Sequence, residues 1–178
     1  MMTFFVLDEN PVKSANKMIW LDCESAAFDG ARIIVSAIHK LGGETDDLPF
    51  ERLDGHPLVK WAVVSKENAR WLYRNTRAAT IKWGKEFKVE GYEEMMKKLN
   101  KVASVLDERF QDGQTTLFGN FYITEEMDEV WPTTAMKVNS TIRNSIESNR
   151  AYYERTRQHL SWADDDPTLY DSKGDEEE

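Results

Sequence analysis

A single cysteine, Cys23, occurs in the 178-residue chain. One thiol excludes an intramolecular disulfide and any cysteine-built metal site, and it favours a reducing compartment. Long hydrophobic runs are also missing, since nothing approaches the roughly 20 apolar residues that span a bilayer. Residues 1–7 carry a short apolar run with neither a basic region nor a cleavage site, so a signal peptide is not expected there. The chain has no HExxH, no GxSxG and no glycine-rich phosphate loop, the commonest local signatures of catalysis and phosphate binding. Nothing calls for a cofactor or a metal, and none is expected.

What is present reads as a globular chain of one-domain size, 40% hydrophobic and 31% charged, with six tryptophans. The formal net charge of −9 is unevenly spread. Residues 163–178 hold eight acids and one base, a net of −7, which leaves −2 for residues 1–162. The acidic, apolar-poor end cannot support a core. The expected organisation is therefore one helical domain over 1–162 followed by a disordered acidic tail over 163–178.

Apolar periodicity makes the domain mainly α. Residues 3–7 read as a short buried strand. Asn10 and Pro11 form a helix start, a capping side chain followed by a residue preset for the first helical position. A second helix begins near Asp22, with Cys23, Ala27, Gly30, Ile34, Ala37 and Leu41 on one face, and ends at Gly42 and Gly43. Residues 44–54 form a polar loop, and His56 and Pro57 open another helical stretch. Ser65 caps a helix running to about Trp83 and stopping at Gly84. The clearest stripe is Tyr92, Met95, Met96, Leu99, Ala103, Leu106 and Phe110, closed by Gly113. Residues 115–124 suggest a small β-hairpin around Gly119 and Asn120. A long helix capped by Thr133 or Thr134 then reaches Trp162.

The helix after Ser65 carries the most suggestive chemistry. Lys66, Arg70, Arg74 and Arg77 fall on one face at helical spacing, with Trp71 at its edge. From Lys60 to Lys101 there are eleven bases and five acids. Such a stripe beside aromatics suits phosphate contact and base stacking, although basic side chains also simply solvate a helix face. Asn68 and Asn75 lie on the apolar side. A buried amide needs partners, so the two either form a polar pocket for a base or sugar edge or tie the helix to a neighbouring segment. Lys66, Asn68, Arg70, Trp71, Arg74, Asn75 and Arg77 are the candidate DNA- or nucleotide-binding residues.

Three residues are candidates for catalysis. His56 titrates near neutrality when unperturbed, though a histidine there also caps or packs. Lys85 follows Gly84 at a helix end, where it can reach a phosphate or act as a nucleophile, or merely complement the helix terminus. Asp22 shares a flank with Asp29 and Ser36. Two helical turns separate the carboxylates by about 10 Å, too far to share one ion, so a capping Asp22 and a solvated Asp29 are expected.

Several segments in order carry a family resemblance: FFVLDENPVKSA (residues 4–15), HPLVKW (56–61), SKENARWLY (65–73), WGK (83–85) and AYYERTRQHLSW (151–162). Together they resemble a family of small proteins encoded by tailed bacteriophages and some large algal viruses, some labelled pyrimidine-dimer DNA glycosylases. The resemblance implies action on a DNA base or its glycosidic bond, performed on a flipped nucleotide. It also implies location in the host cytoplasm. The chain departs from the family where an Asp-Lys-His run, a Glu before the Gly-Lys and a His after it are expected. Trp20-Leu21-Asp22, Ala78 and Phe87 stand there instead. The expectation is thus a DNA- or nucleotide-binding protein, glycosylase-like or a diverged relative. The alternative is a noncatalytic early phage protein that binds a host protein through its acidic tail.

Overall fold

The computed structural model describes residues 6–113 together with Ile146, Arg150 and Tyr153. Its elements are α1 (Pro11–Asn16), α2 (Trp20–Lys40), α3 (Pro57–Ala62), α4 (Lys66–Lys85) and α5 (Tyr92–Arg109). The expected hairpin at 115–124 and acidic tail at 163–178 lie outside the described residues, as does most of the expected strand at 3–7. Val6 and Leu7, which are described, are buried and belong to neither helix nor strand.

Local hydrogen bonding starts three of the helices. Asn10 accepts from the backbone N–H groups of Val12 and Lys13 ahead of Pro11, so α1 begins with two otherwise orphaned donors satisfied. Ser65 does the same for Asn68 at the head of α4, and the Nδ1 atom of His56 accepts from Leu58 at the head of α3. The start of α2 has no side-chain cap of its own. Its cap residue, Ile19, donates its N–H to the hydroxyl of Tyr153 at 2.7 Å instead.

The three long helices pack with α4 antiparallel to the other two. Along α2 and α4, Gly30 meets Thr76 and Phe28 meets Trp83. Along α4 and α5, the meeting pairs are Arg70 with Asp107, Tyr73 with Asn100 and Gly84 with Tyr92. Helix α2 is buried almost all round, with Cys23, Ala27, Ala31, Ile33, Ile34, Val35 and Ile38 in the core. The 42–56 loop is fastened from both sides: Ser36 Oγ accepts from Leu53 N–H, and Lys101 Nζ donates to the Asp47 carbonyl. The described residues of the late segment, Ile146, Arg150 and Tyr153, are each helical and spaced four and three apart. Ile146 and Tyr153 enter the core, while Arg150 donates to the Leu7 carbonyl and pairs with Asp8.

Two glycines permit close helix contact and do not act as breakers. Gly84, expected to stop α4, lies within it one residue before its end, and the Tyr92 ring occupies the space that a side chain there would need. At Gly30 an added Cβ would stand 1.9 Å from Thr76 Oγ1 and 3.0 Å from Thr76 Cβ. Gly30→Ala should therefore cost about 1–3 kcal/mol through overpacking. Combining it with Thr76→Ala removes the hydroxyl but keeps the Cβ, so denaturant unfolding of the double variant should recover part of that loss, a coupling absent between independent sites.

Candidate functional site

The basic stripe of α4 divides into two halves. Lys66 pairs with Asp112 at 3.0 Å, and Arg70 is held by Glu67 at 2.7 Å and Asp107 at 3.0 Å. Both acidic partners of Arg70 favour its charged form, and Lys66 holds the exposed Asp112 carboxyl below its usual range. Arg74 and Arg77 are exposed and have no acidic partner among the described residues. They line a small groove of about 220 Å³ between α1 and α4, together with Val12, Asn16, Ile81 and Lys82.

Behind the stripe, polar side chains of α4 are buried and tied to neighbouring segments. Asn68 Nδ2 donates to the Trp61 carbonyl at 2.8 Å, and Asn75 Nδ2 donates to the Pro11 carbonyl at 2.9 Å. Trp71 Nε1 donates to the Glu9 carbonyl, and Lys82 Nζ to the Asn16 carbonyl. Trp71 also meets Trp61 edge-to-face at 6.0 Å. Both asparagines are 0% exposed, so their amides serve as ties from α4 to α3 and α1. Neither lines the α1–α4 groove.

The three acid–base candidates do not converge. His56 caps α3, and burial pushes its pKa down to about 4, so the imidazole is neutral at physiological pH with one nitrogen engaged. Asp22 is buried in the first turn of α2 and interacts with the hydroxyl of Tyr153, whose pKa is driven upward by burial and by this carboxylate. Lys85 is exposed at the end of α4, about 25 Å along the helix axis from Asn68 at 1.5 Å per residue. Among the described residues, no group of three His, Cys, Asp or Glu is placed to hold a metal ion. No helix there is long and apolar enough to cross a membrane.

One expectation needs correcting. Asp29, expected to be solvated, is 2% exposed. Its carboxylate lies on the side of α2 that faces a cleft of about 550 Å³, bounded by Phe28, Phe50, Trp83 and the start of α5. Arg32, one turn on, stands 3.6 Å from Asp29 Oδ1, an oxygen that makes no hydrogen bond. Burial pushes the Asp29 pKa up to about 6 against the opposing pull of Arg32. The sequence carried only a partial signal: Ala26 and Ile33 share the flank of Asp29 at helical spacing, but so do the polar Asp22, Arg32 and Ser36.

Set against models of protein families, curated proteins and solved structures, the chain matches none of them.

Two outcomes follow for the residues in hand. Asn68→Ala removes the tie to the Trp61 carbonyl, which keeps its bond from the Val64 N–H, and should lower unfolding free energy by about 0.5–1.5 kcal/mol, while leaving any ligand affinity of the folded protein unchanged. For His56, the folded pKa of about 4 lies below the ordinary value of 6.5. The unfolded chain thus takes up a proton that the folded protein refuses, and stability present above pH ~6.5 is lost progressively down to pH ~4. Asp29 slopes the other way, because its raised pKa stabilises the protonated folded form at acid pH and loses that contribution as pH rises from about 4 to 6. The difference between the wild type and His56→Asn isolates the imidazole and retains a capping acceptor. Relative to that variant, the wild type should lose about 2–3 kcal/mol between pH 6.5 and pH 4 in denaturant titrations. A constant difference would exclude the buried neutral imidazole.

Proposed function

We propose that this protein binds DNA or a nucleotide through phosphate contacts made by Arg74 and Arg77. The carrying observation is that these two guanidiniums alone of the α4 stripe are exposed and lack acidic partners among the described residues, at the mouth of a groove that also holds Lys82 and Asn16. An arginine fork matches phosphate oxygens bidentately, and the apolar Val12 and Ile81 offer a surface for a sugar or base beside it. Glu86 also lines the groove and offsets part of its positive charge. The ordered resemblance to small phage and algal-virus proteins supports the same ligand class.

A binding role is favoured over catalysis. His56 is a weak base at neutral pH, and Asp22, His56 and Lys85 stand on separate parts of the helical body. A glycosylase-like reaction needs an acid or nucleophile within reach of the same sugar, and these three do not supply that arrangement.

Fluorescence anisotropy with labelled single-stranded DNA, at several salt concentrations, tests the proposal. Arg74→Glu/Arg77→Glu should weaken binding about tenfold or more and flatten the salt slope by about 1.4, the value for two phosphate contacts on a single strand. Arg70→Gln, whose guanidinium is already neutralised, should stay within about twofold of the wild type. Undiminished binding in the double variant, or no binding by the wild type at low salt, would remove this reading.

A further inference from the structure

On the opposite side of α4 from the Arg74–Arg77 groove lies the cleft that contains Asp29. The helical turn of about 100° per residue places Trp83 some 180° from Arg74 around the axis, so the two sites face different directions and have independent walls. The cleft is distinctive in charge. Four carboxylates border it, those of Asp29, Glu51, Glu90 and Glu94, against two bases, Arg32 and Lys98, among its described lining residues. A second arginine–phosphate site is therefore the wrong chemistry here.

The most buried polar residue among those lining it is Asp29, 2% exposed, with an Oδ1 that lacks a hydrogen-bond donor. Arg32 approaches that oxygen only to 3.6 Å. A carboxylate so placed has lost its water and has Arg32 as a hydrogen-bonded charged partner, while its Oδ1 still lacks a donor of its own. Aromatic rings flank it: Phe28 and Trp83 meet edge-to-face with centroids 5.5 Å apart, and Phe50 joins them from the 42–56 loop. A carboxylate beside aromatic faces is the combination that receives an ammonium or guanidinium head, since the ring quadrupole attracts a cation and the carboxylate accepts its N–H groups.

We propose that the cleft formed by α2, the C-terminal end of α4 and the start of α5 binds a small organic cation bearing an alkylammonium or alkylguanidinium group. The cationic head sits against Asp29. The alkyl part lies along Phe28 and Trp83, and the rim carboxylates Glu51 and Glu94 attract a second positive charge on the same molecule.

Agmatine, which carries one guanidinium and one ammonium, and spermidine are suitable probes for the full chain. Calorimetry and the indole N–H signals in proton–nitrogen correlation spectra give affinity and location. Saturable binding that shifts the Trp83 indole signal is expected, together with a loss of about tenfold or more in Asp29→Asn. Phe28 is partly exposed, so Phe28→Ala keeps the fold and should weaken binding about threefold or more. Glu94→Gln, fully at the rim, should cost about twofold and reduce the salt dependence. Should Asp29→Asn fail to fold, the Phe28 and Glu94 variants still decide the matter. Lack of saturable binding by either cation would overturn the proposal, as would equal affinity in all variants or a Trp83 shift produced by adenosine monophosphate and not by the cations. None of these results bears on phosphate binding at Arg74 and Arg77, which the anisotropy measurements judge separately.

Discussion

The fold depends on one constraint: α4 runs through the interior carrying polar side chains whose amide and ammonium donors must be matched there. Asn68, Asn75, Thr76, Thr80 and Lys82 are buried on this single helix. Each buried amide or ammonium left unmatched costs free energy of the order of a core substitution, about 1–3 kcal/mol or more. The chain meets much of the requirement by supplying backbone carbonyls from the stretch just before α1 and from α1 itself. Glu9, Pro11 and Asn16 present theirs to Trp71, Asn75 and Lys82 in the same order along both segments. That ordered ladder fixes α1 parallel to α4. The short turn after α1 then sends α2 back antiparallel. A six-residue helix such as α1 has little stability in isolation, and its position follows from these three donors and from the cap at Asn10.

Polar ties of this kind explain why the basic stripe reads differently in space than in sequence. Helical spacing correctly puts Lys66, Arg70, Arg74 and Arg77 on one side. Which of them are available depends on α5, because Asp107 sits opposite Arg70 and Asp112 opposite Lys66 only once the two helices are antiparallel. The groove side of α4 faces α1 instead, which offers carbonyls and an amide and no carboxylate near Arg74. Charge along a helix is thus local information, while neutralisation of that charge is tertiary.

The same division decides what was legible beforehand. The caps at Asn10, His56 and Ser65 were readable because a cap involves residues within three positions of each other. The apolar stripe of α5 was readable in its buried members Met95, Leu99, Leu106 and Phe110 because it repeats at the helical period. Boundaries set by contacts were not. Gly84 looks like a stop signal in sequence, yet α4 runs one residue past it, and the missing side chain is what lets Tyr92 pack there. The start of α2 falls at Trp20, ahead of Asp22, since its missing cap comes from Tyr153, 134 positions away. Asn68 and Asn75 were rightly expected to be buried and bonded. Their role as ties, and the absence of a shared hollow, required knowing where the carbonyls of Trp61 and Pro11 lie. Asp29 was misjudged because an acid at a helix flank is ordinarily solvated, and because the apolar neighbours that enclose it belong partly to α4, α5 and the 42–56 loop.

Unmatched buried atoms separate packing from recognition. Asn75 Oδ1, Thr76 Oγ1, Trp83 Nε1 and Asp29 Oδ1 all lack a hydrogen-bond partner among the described residues. Thr76 is pressed against Gly30, where close helix packing leaves no space for another molecule, and the hydroxyl's cost is offset by the contact it allows. Asn75 has already spent its amide donor on Pro11, and its oxygen is a neutral acceptor with a modest desolvation cost. Asp29 differs in charge and in setting. An ionised carboxylate suffers far more from burial than an amide or hydroxyl, and it alone of the three acceptors borders a cleft of molecular size. Trp83 Nε1 belongs to the same wall. Asp29 and Trp83 therefore lie together in the wall of one cleft, on the side of α4 turned away from Arg74 and Arg77, and the fold presents two chemically opposite surfaces on either side of one helix.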